Sequence, residues 1–168
     1  PDALAIEDVK LLKAMGGNFL RIAHYPQDPV IMETCDRLGI ITTVEIPIVN
    51  YTTESEAFNT NSIKMAKEMV HQDYNHPSLV SWAYMNEILL RPKYKDNPEK
   101  QKPYFKSITK LAKEIEQVIR DLDPYRDTMI PNHGNFSLYT ENELTAIPSI
   151  VGWNLYSGWY GSKFDGFD

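Results

Sequence analysis

The sequence predicts an α/β protein built on a parallel sheet, and three observations carry that reading. Helix-like and strand-like segments alternate along the chain, in the order α-β-α-β-α-β-α-β-(α)-β. Strands that alternate with helices pair in parallel through right-handed crossovers. The strand segments are apolar on nearly both faces, as a buried parallel sheet requires. Each strand also ends in residues capable of chemistry, the place where parallel α/β folds carry function. Two architectures fit: an open doubly wound sheet, or part of a (β/α)8 barrel. No glycine-rich phosphate fingerprint follows any strand, which counts against a dinucleotide fold.

The elements follow in order. Residues 4–15 are predicted helical, with Ile6, Val9 and Leu12 on one face and Gly16-Gly17 as a stop. Residues 18–23 form a short strand. Asp28-Pro29 is an N-cap followed by Pro at the first helical position, and the helix ends at Gly39. Residues 40–46 are rich in β-branched side chains and predict the second strand. A helix spans about 59–74, and Asn75-His76-Pro77-Ser78 turns the chain into a third strand over 79–85. Residues 91–103 hold three Pro and many charges and are expected to form an exposed loop.

The strongest helix pattern runs from Pro103 to Leu122, where Phe105, Ile108, Leu111, Ala112, Ile115, Val118, Ile119 and Leu122 form one continuous stripe. Asp123-Pro124 stops it. A fourth strand covers 127–131, residues 132–148 form a polar loop or short helix, and a fifth strand covers 150–156. The tail with Gly158, Gly161 and Gly166 is expected to be a loop.

Composition narrows the function classes. The 168 residues carry a net charge of -6, against the basic patch expected of a nucleic-acid binder. No apolar run approaches the ~18 residues of a spanning helix. The expectation is no nucleic acid, no membrane and no cofactor. The one cysteine, Cys35, reads as a small buried hydrophobe. No His-x-His or His-x-x-x-His spacing occurs, so no metal site is expected. The sequence assigns no compartment: periplasmic, secreted and cytoplasmic all fit.

The candidate site residues sit at the strand ends. The first strand contributes Arg21 and His24, the second Glu45, and the third Asn86 and Glu87. The fourth ends in Asn132 and His133, and the fifth in Trp153, Asn154 and Tyr156. A carboxyl desolvated at the end of an apolar strand favours its protonated form, which suits a general acid; Glu87 is that candidate. Arg21 is as well suited to pairing with Glu45 under a site floor. His71 and His76 lie away from strand ends and are expected to be structural.

These residues make a recognisable series. Lys13-Ala-Met-Gly-Gly-Asn18-Phe-Leu-Arg21-Ile-Ala-His24-Tyr25-Pro26 resembles a signature of glycoside hydrolase family 2, the β-galactosidase and β-glucuronidase family. Cys35 to Ile40 and then Glu45 continue it. Asn75-His76-Pro77-Ser78-Leu79-Val80-Ser81-Trp82, followed by Asn86-Glu87, is its most specific part, and Asn154 to Tyr160 resembles the segment at barrel strand six.

The resemblance implies a partial (β/α)8 TIM-barrel catalytic domain over residues 1–168 of a larger multidomain glycosidase, holding about strands two to six. A whole barrel typically needs ~250 residues. It implies a carbohydrate substrate and a retaining mechanism on terminal β-linked sugars, with β-galactosidase-like activity first and β-glucuronidase or β-mannosidase as alternatives. Glu87 would be the general acid/base, Asn86 would contact the sugar 2-hydroxyl, His24 would bind the sugar, and Tyr156 would hold the nucleophile. Asn154, Trp153, Glu45 and Arg21 would complete the floor and wall. His133 is carried as a further substrate-binding candidate.

The family's nucleophile, a Glu in a Thr/Ser-Glu-Tyr/Phe-Gly context at strand seven, has no match in the sequence. After Tyr160 only Asp165 and Asp168 are acidic. The segment alone is therefore expected to be inactive, with its remaining strands outside it, and its open sheet edges are expected to favour self-association. A non-catalytic carbohydrate-binding or scaffold piece, with its Trp and Tyr cleft, is the reading from a different class.

Overall fold

A computed structural model describes residues 2–159. Gly161, Gly166, Asp165 and Asp168 lie outside the described residues. The elements are α1 (Asp2–Ala14), β1 (Phe19–Ile22), α2 (Pro29–Leu38), β2 (Ile41–Glu45), α3 (Glu56–Asp73), β3 (Leu79–Ala83), α4 (Pro98–Leu122), β4 (Asp127–His133), α5 (Phe136–Glu141) and β5 (Ile150–Asn154). A short 3₁₀ turn, Leu144–Ala146, separates α5 from β5.

All neighbouring strands are parallel, in the order β1-β2-β3-β4-β5, and the sheet curls as a half-barrel. Crossovers of one hand that always step the same way put every helix on one face. Side-chain contacts agree. Trp82 and Tyr84 reach α4 and its cap, through Asp123 and Glu116. Trp153 reaches α5. This one-sided covering is the barrel arrangement; a doubly wound sheet has helices on both faces.

Local chemistry explains the boundaries. Asp28 caps α2 through Val30 N at 3.0 Å, and Gly39 ends it at φ 64°, a conformation glycine adopts without a Cβ penalty. Ser55 caps α3 through Phe58 N, so this helix starts earlier than its apolar period suggests. Helix α4 starts at Pro98, not Pro103. Asn97 caps it through Lys100 N, and Pro98 occupies the first turn, where its missing N–H costs nothing. Residues 98–103, expected as loop, are therefore helix. Strand β5 ends at Asn154, two residues before its predicted end.

The main core lies between the sheet and the helices. Val44, Trp82, Ile108, Leu111, Ile115, Ile119 and Ile130 are all buried there. Each such aliphatic side chain contributes about 1.5–3 kcal/mol by leaving water. A smaller cluster under α1 and α2 joins Val9, Cys35 and Ile40. Burial pushes the Cys35 thiol up to about 11, with Asp36 adding to the effect, so it is inert there. His76 is structural, as expected: its Nδ1 meets Asp36 Oδ2 at 2.6 Å and ties the turn before β3 to α2.

The strands are less apolar than expected. Thr42, Thr43, Ser81, Thr128 and Asn132 are buried in them. Among the described residues, no helix is long and apolar enough to cross a membrane.

Candidate active site

Strand alternation decides which side chains leave the helix layer and face the concave side of the sheet. Register aligns Glu45 with Ala83, Ala83 with Met129, and His133 with Asn154. Arg21, Glu45, His133 and Asn154 therefore point one way, and Trp82, Ile130, Asn132 and Trp153 the other.

Arg21 and Glu45 form a forked pair. Arg21 Nε donates to Oε2 at 3.1 Å, and its terminal nitrogen donates to Oε2 at 2.8 Å and Oε1 at 3.1 Å. His24 Nδ1 meets Oε1 at 2.5 Å. Glu45 is 1% exposed, so two partners fill both oxygens of a buried carboxylate. The same Arg21 nitrogen also donates to Asn86 Oδ1 at 2.8 Å.

Asn86 and Glu87 lie just past β3, in a tightly fixed backbone. Asn50 N donates to Asn86 O at 2.9 Å, and Glu87 N donates to Pro131 O at 2.7 Å. Met85 and Glu87 adopt φ of 60° and 48°. Non-glycine residues pay roughly 1–3 kcal/mol for such conformations and keep them only where the surroundings enforce it. The turn directs the Glu87 side chain to the concave side. There Asn154 Nδ2 donates to Glu87 Oε1 at 2.9 Å and to Asn86 Oδ1 at 3.1 Å, and Tyr156 Oη lies 3.4 Å from the same Glu87 oxygen. Glu87 is 7% exposed, and its Oε2 accepts no hydrogen bond among the described residues.

The structure thus brings together Arg21, His24, Glu45, Asn86, Glu87, Asn154 and Tyr156. His133 stands beside them, its Nδ1 2.8 Å from Tyr139 Oη. Trp153 is a correction to the predicted wall. It cannot share a face with Asn154, its strand neighbour, and its ring packs on Phe136 at 4.4 Å and Tyr139 at 5.9 Å. Asn132 likewise turns to the helix side and is fully buried. Tyr139 is the residue that sequence reasoning missed; its only local signal is the i, i+3 spacing with Phe136 on a short helix.

A buried carboxyl with one oxygen held by donors and the other available can give and take a proton. Glu45 is unsuited to that work, because Arg21 and His24 occupy both its oxygens. Among the described residues, no group of three or more His, Cys, Asp or Glu side chains is arranged to hold a metal ion.

Known proteins share this fold. Residues 2–163 match the family described as "Glycosyl hydrolases family 2, TIM barrel domain". A β-glucuronidase of Bacteroides fragilis is 36% identical over 165 residues, covering 93% of this chain and 21% of that protein. The human β-glucuronidase is 27% identical over 161 residues, covering 94% and 22%. A solved Bacteroides uniformis β-glucuronidase 2, covalently bound to cyclophellitol-6-carboxylate aziridine, superposes with a TM-score of 0.92 at 42% identity. That match covers 99% of this chain and 20% of the solved one. The chain spans about a fifth of the length of these relatives. With the family pattern matched over nearly all its residues, the chain belongs to glycosyl hydrolase family 2, in that family's TIM barrel domain.

Proposed function

We propose that this chain is the acid/base-bearing part of a longer, multidomain retaining β-glycosidase that removes a terminal β-linked glucuronic acid, with Glu87 as general acid/base. The observation that carries the reading is the state of Glu87: buried, oriented through Oε1 by Asn154 and Tyr156, with Oε2 left for a ligand. In the first step the Glu87 carboxyl gives its proton to the glycosidic oxygen as the C1–O bond breaks. A carboxylate nucleophile bonds to C1 at the same time, and the alcohol leaves. In the second step Glu87 takes a proton from water as that water displaces the enzyme carboxylate.

Asn86 is placed to hydrogen-bond the sugar 2-hydroxyl, a contact that strengthens in an oxocarbenium-like transition state. Arg21 and Glu45 fix the Asn86 amide from below, and the half-exposed His24 offers its free ring edge to the sugar. The nucleophile belongs to a part of the longer protein beyond this stretch, so residues 1–168 by themselves are inactive in this reading. In this reading Tyr156, 3.4 Å from Glu87 Oε1, would also hold that second carboxylate.

The sugar is the point on which the comparisons redirect the sequence reading. A galactoside led that reading, with a glucuronide as alternative; the curated relatives named above are β-glucuronidases, which favours the alternative. The test is a panel of 4-nitrophenyl β-glycosides with the full-length protein. The glucuronide should be hydrolysed with the highest kcat/KM, and cyclophellitol-6-carboxylate aziridine should label the protein covalently. Preference for the galactoside or mannoside would replace the glucuronide assignment. Binding of sugar with no turnover of any member would favour the non-catalytic class.

A further inference from the structure

The wall beside Glu87 is built by the β4–α5 segment, and one of its side chains is prepared for a ligand without belonging to the network described above. Tyr139 is fully buried on α5, and its hydroxyl meets two groups. Leu89 N donates to Tyr139 Oη at 3.2 Å, and Tyr139 Oη lies 2.8 Å from His133 Nδ1. Leu89 is two residues past Glu87, and His133 two residues past Pro131, the residue whose carbonyl holds Glu87 N. The His133–Tyr139 pair is therefore tied to both sides of the Glu87 turn.

A phenol has one proton. Among the described residues, Tyr139 Oη has no acceptor other than His133 Nδ1. With Leu89 N–H already donating to it, the hydroxyl satisfies every group by donating to Nδ1. That places the imidazole proton on Nε2. Burial pushes the Tyr139 phenol up to about 12, so it stays a donor. Burial also holds His133 below the ordinary histidine value, against the pull of the Glu87 charge, so the ring is neutral near pH 7. The ring is only partly buried, and its Nε2 edge, opposite Tyr139, makes no hydrogen bond among the described residues.

Resting on the glycosidase reading above, we propose that His133 determines leaving-group specificity, donating from Nε2 to a hydroxyl of a saccharide leaving group beside Glu87. The sugar undergoing cleavage is served by Asn86, Asn154, Arg21 and His24, which are bonded into one network. His133 shares none of those bonds, yet it stands in register with Asn154 on the concave face. A neutral N–H donor at that place suits a hydroxyl-bearing leaving group better than a wholly apolar one.

The experiment compares two substrates with one glycone in the full-length protein: a β-linked disaccharide and its 4-nitrophenyl glycoside. In His133→Leu the ratio of disaccharide to aryl kcat/KM should fall by about tenfold, the worth of one neutral hydrogen bond. His133→Gln, which keeps an N–H donor, should recover part of that ratio, and the fall should lie mainly in KM. Equal losses on both substrates, or a ratio that Gln does not recover, would overturn the assignment and make His133 a structural part of the wall. If the unaltered protein cleaves neither substrate, the glycosidase reading itself fails; cleavage of both with an unmoved ratio removes only the role of His133.

Discussion

The two faces of this sheet use polar residues in opposite ways. On the helix side, Trp82 Nε1 donates to Asp123 at 3.0 Å, Arg126 pairs with the same carboxylate at 2.7 Å, and Tyr84 donates to Glu116 at 2.7 Å. Arg120 and Thr128 close that second group on Glu116. Each of these groups is consumed by another part of the fold; the exception on this side is Asn132, buried with neither side-chain polar atom hydrogen-bonded among the described residues. On the concave side, Glu45 is consumed in the same manner, but Glu87 keeps one oxygen without a donor among the described residues, His24 remains half exposed, and two residues of the Glu87 turn hold positive φ. A satisfied polar layer stabilises the chain, whereas a partly satisfied one, rigidly placed, is what a substrate needs.

Substitutions should separate the two faces. The largest effect is expected from Glu87→Ala in the full-length protein. It should lower kcat on an unactivated β-glycoside by about 10²–10⁴, the usual worth of general acid–base catalysis, and steady-state kinetics would show it. Thermal stability should change little, because few protein bonds depend on Glu87.

Arg21→Ala should blur the contrast. It leaves the buried Glu45 carboxylate without its cation, so stability should fall by about 3 kcal/mol in denaturant titration, and activity should fall with it as Asn86 loses its support. Asp123→Ala should sharpen it. The change leaves Trp82 N–H unpaired and costs about 2 kcal/mol, while kcat per folded molecule stays the same.

The smallest effect is one of pH. Burial works to raise the Asp123 carboxyl, but hydrogen bonds from Arg126, Trp82 and two backbone N–H groups outweigh it and hold the group below the ordinary aspartate value. Asp36 is lowered too: burial opposes, and its bonds from His76 and Ser78 prevail. A carboxyl depressed in the folded state contributes stability above its unfolded value of about 4 and loses it as pH falls through the folded value. Asp123→Ala should therefore lessen the fall in stability between about pH 4 and lower values.

Much of this was legible in the sequence because local signals and the fold agree. Asp28-Pro29 and Gly39 bound α2 as expected, and most of the α4 stripe is buried as its spacing predicts, with Val118 and Leu122 only partly covered. Strand ends named most of the cluster, since a parallel sheet delivers them to one rim. Pro103 misled, because a proline is read as a helix start, and Asn97-Pro98 supplied an earlier one. Trp153 departs from the expected wall because side chains alternate along a strand: beside Asn154, it faces the other way. Tyr139 had no legible role, since its partners Leu89 and His133 meet it only through the fold, Leu89 from 50 residues away.

The most direct test of Glu87 is a leaving-group series with the full-length protein, comparing Glu87→Gln with the unaltered enzyme on aryl β-glucuronides of rising phenol pKa. If Glu87 is the acid proposed above, the loss of kcat/KM should grow with leaving-group pKa, because a poor leaving group needs a supplied proton. A loss that stays uniform across the series, or no loss with the poorest leaving groups, would contradict the assignment of Glu87 as the acid.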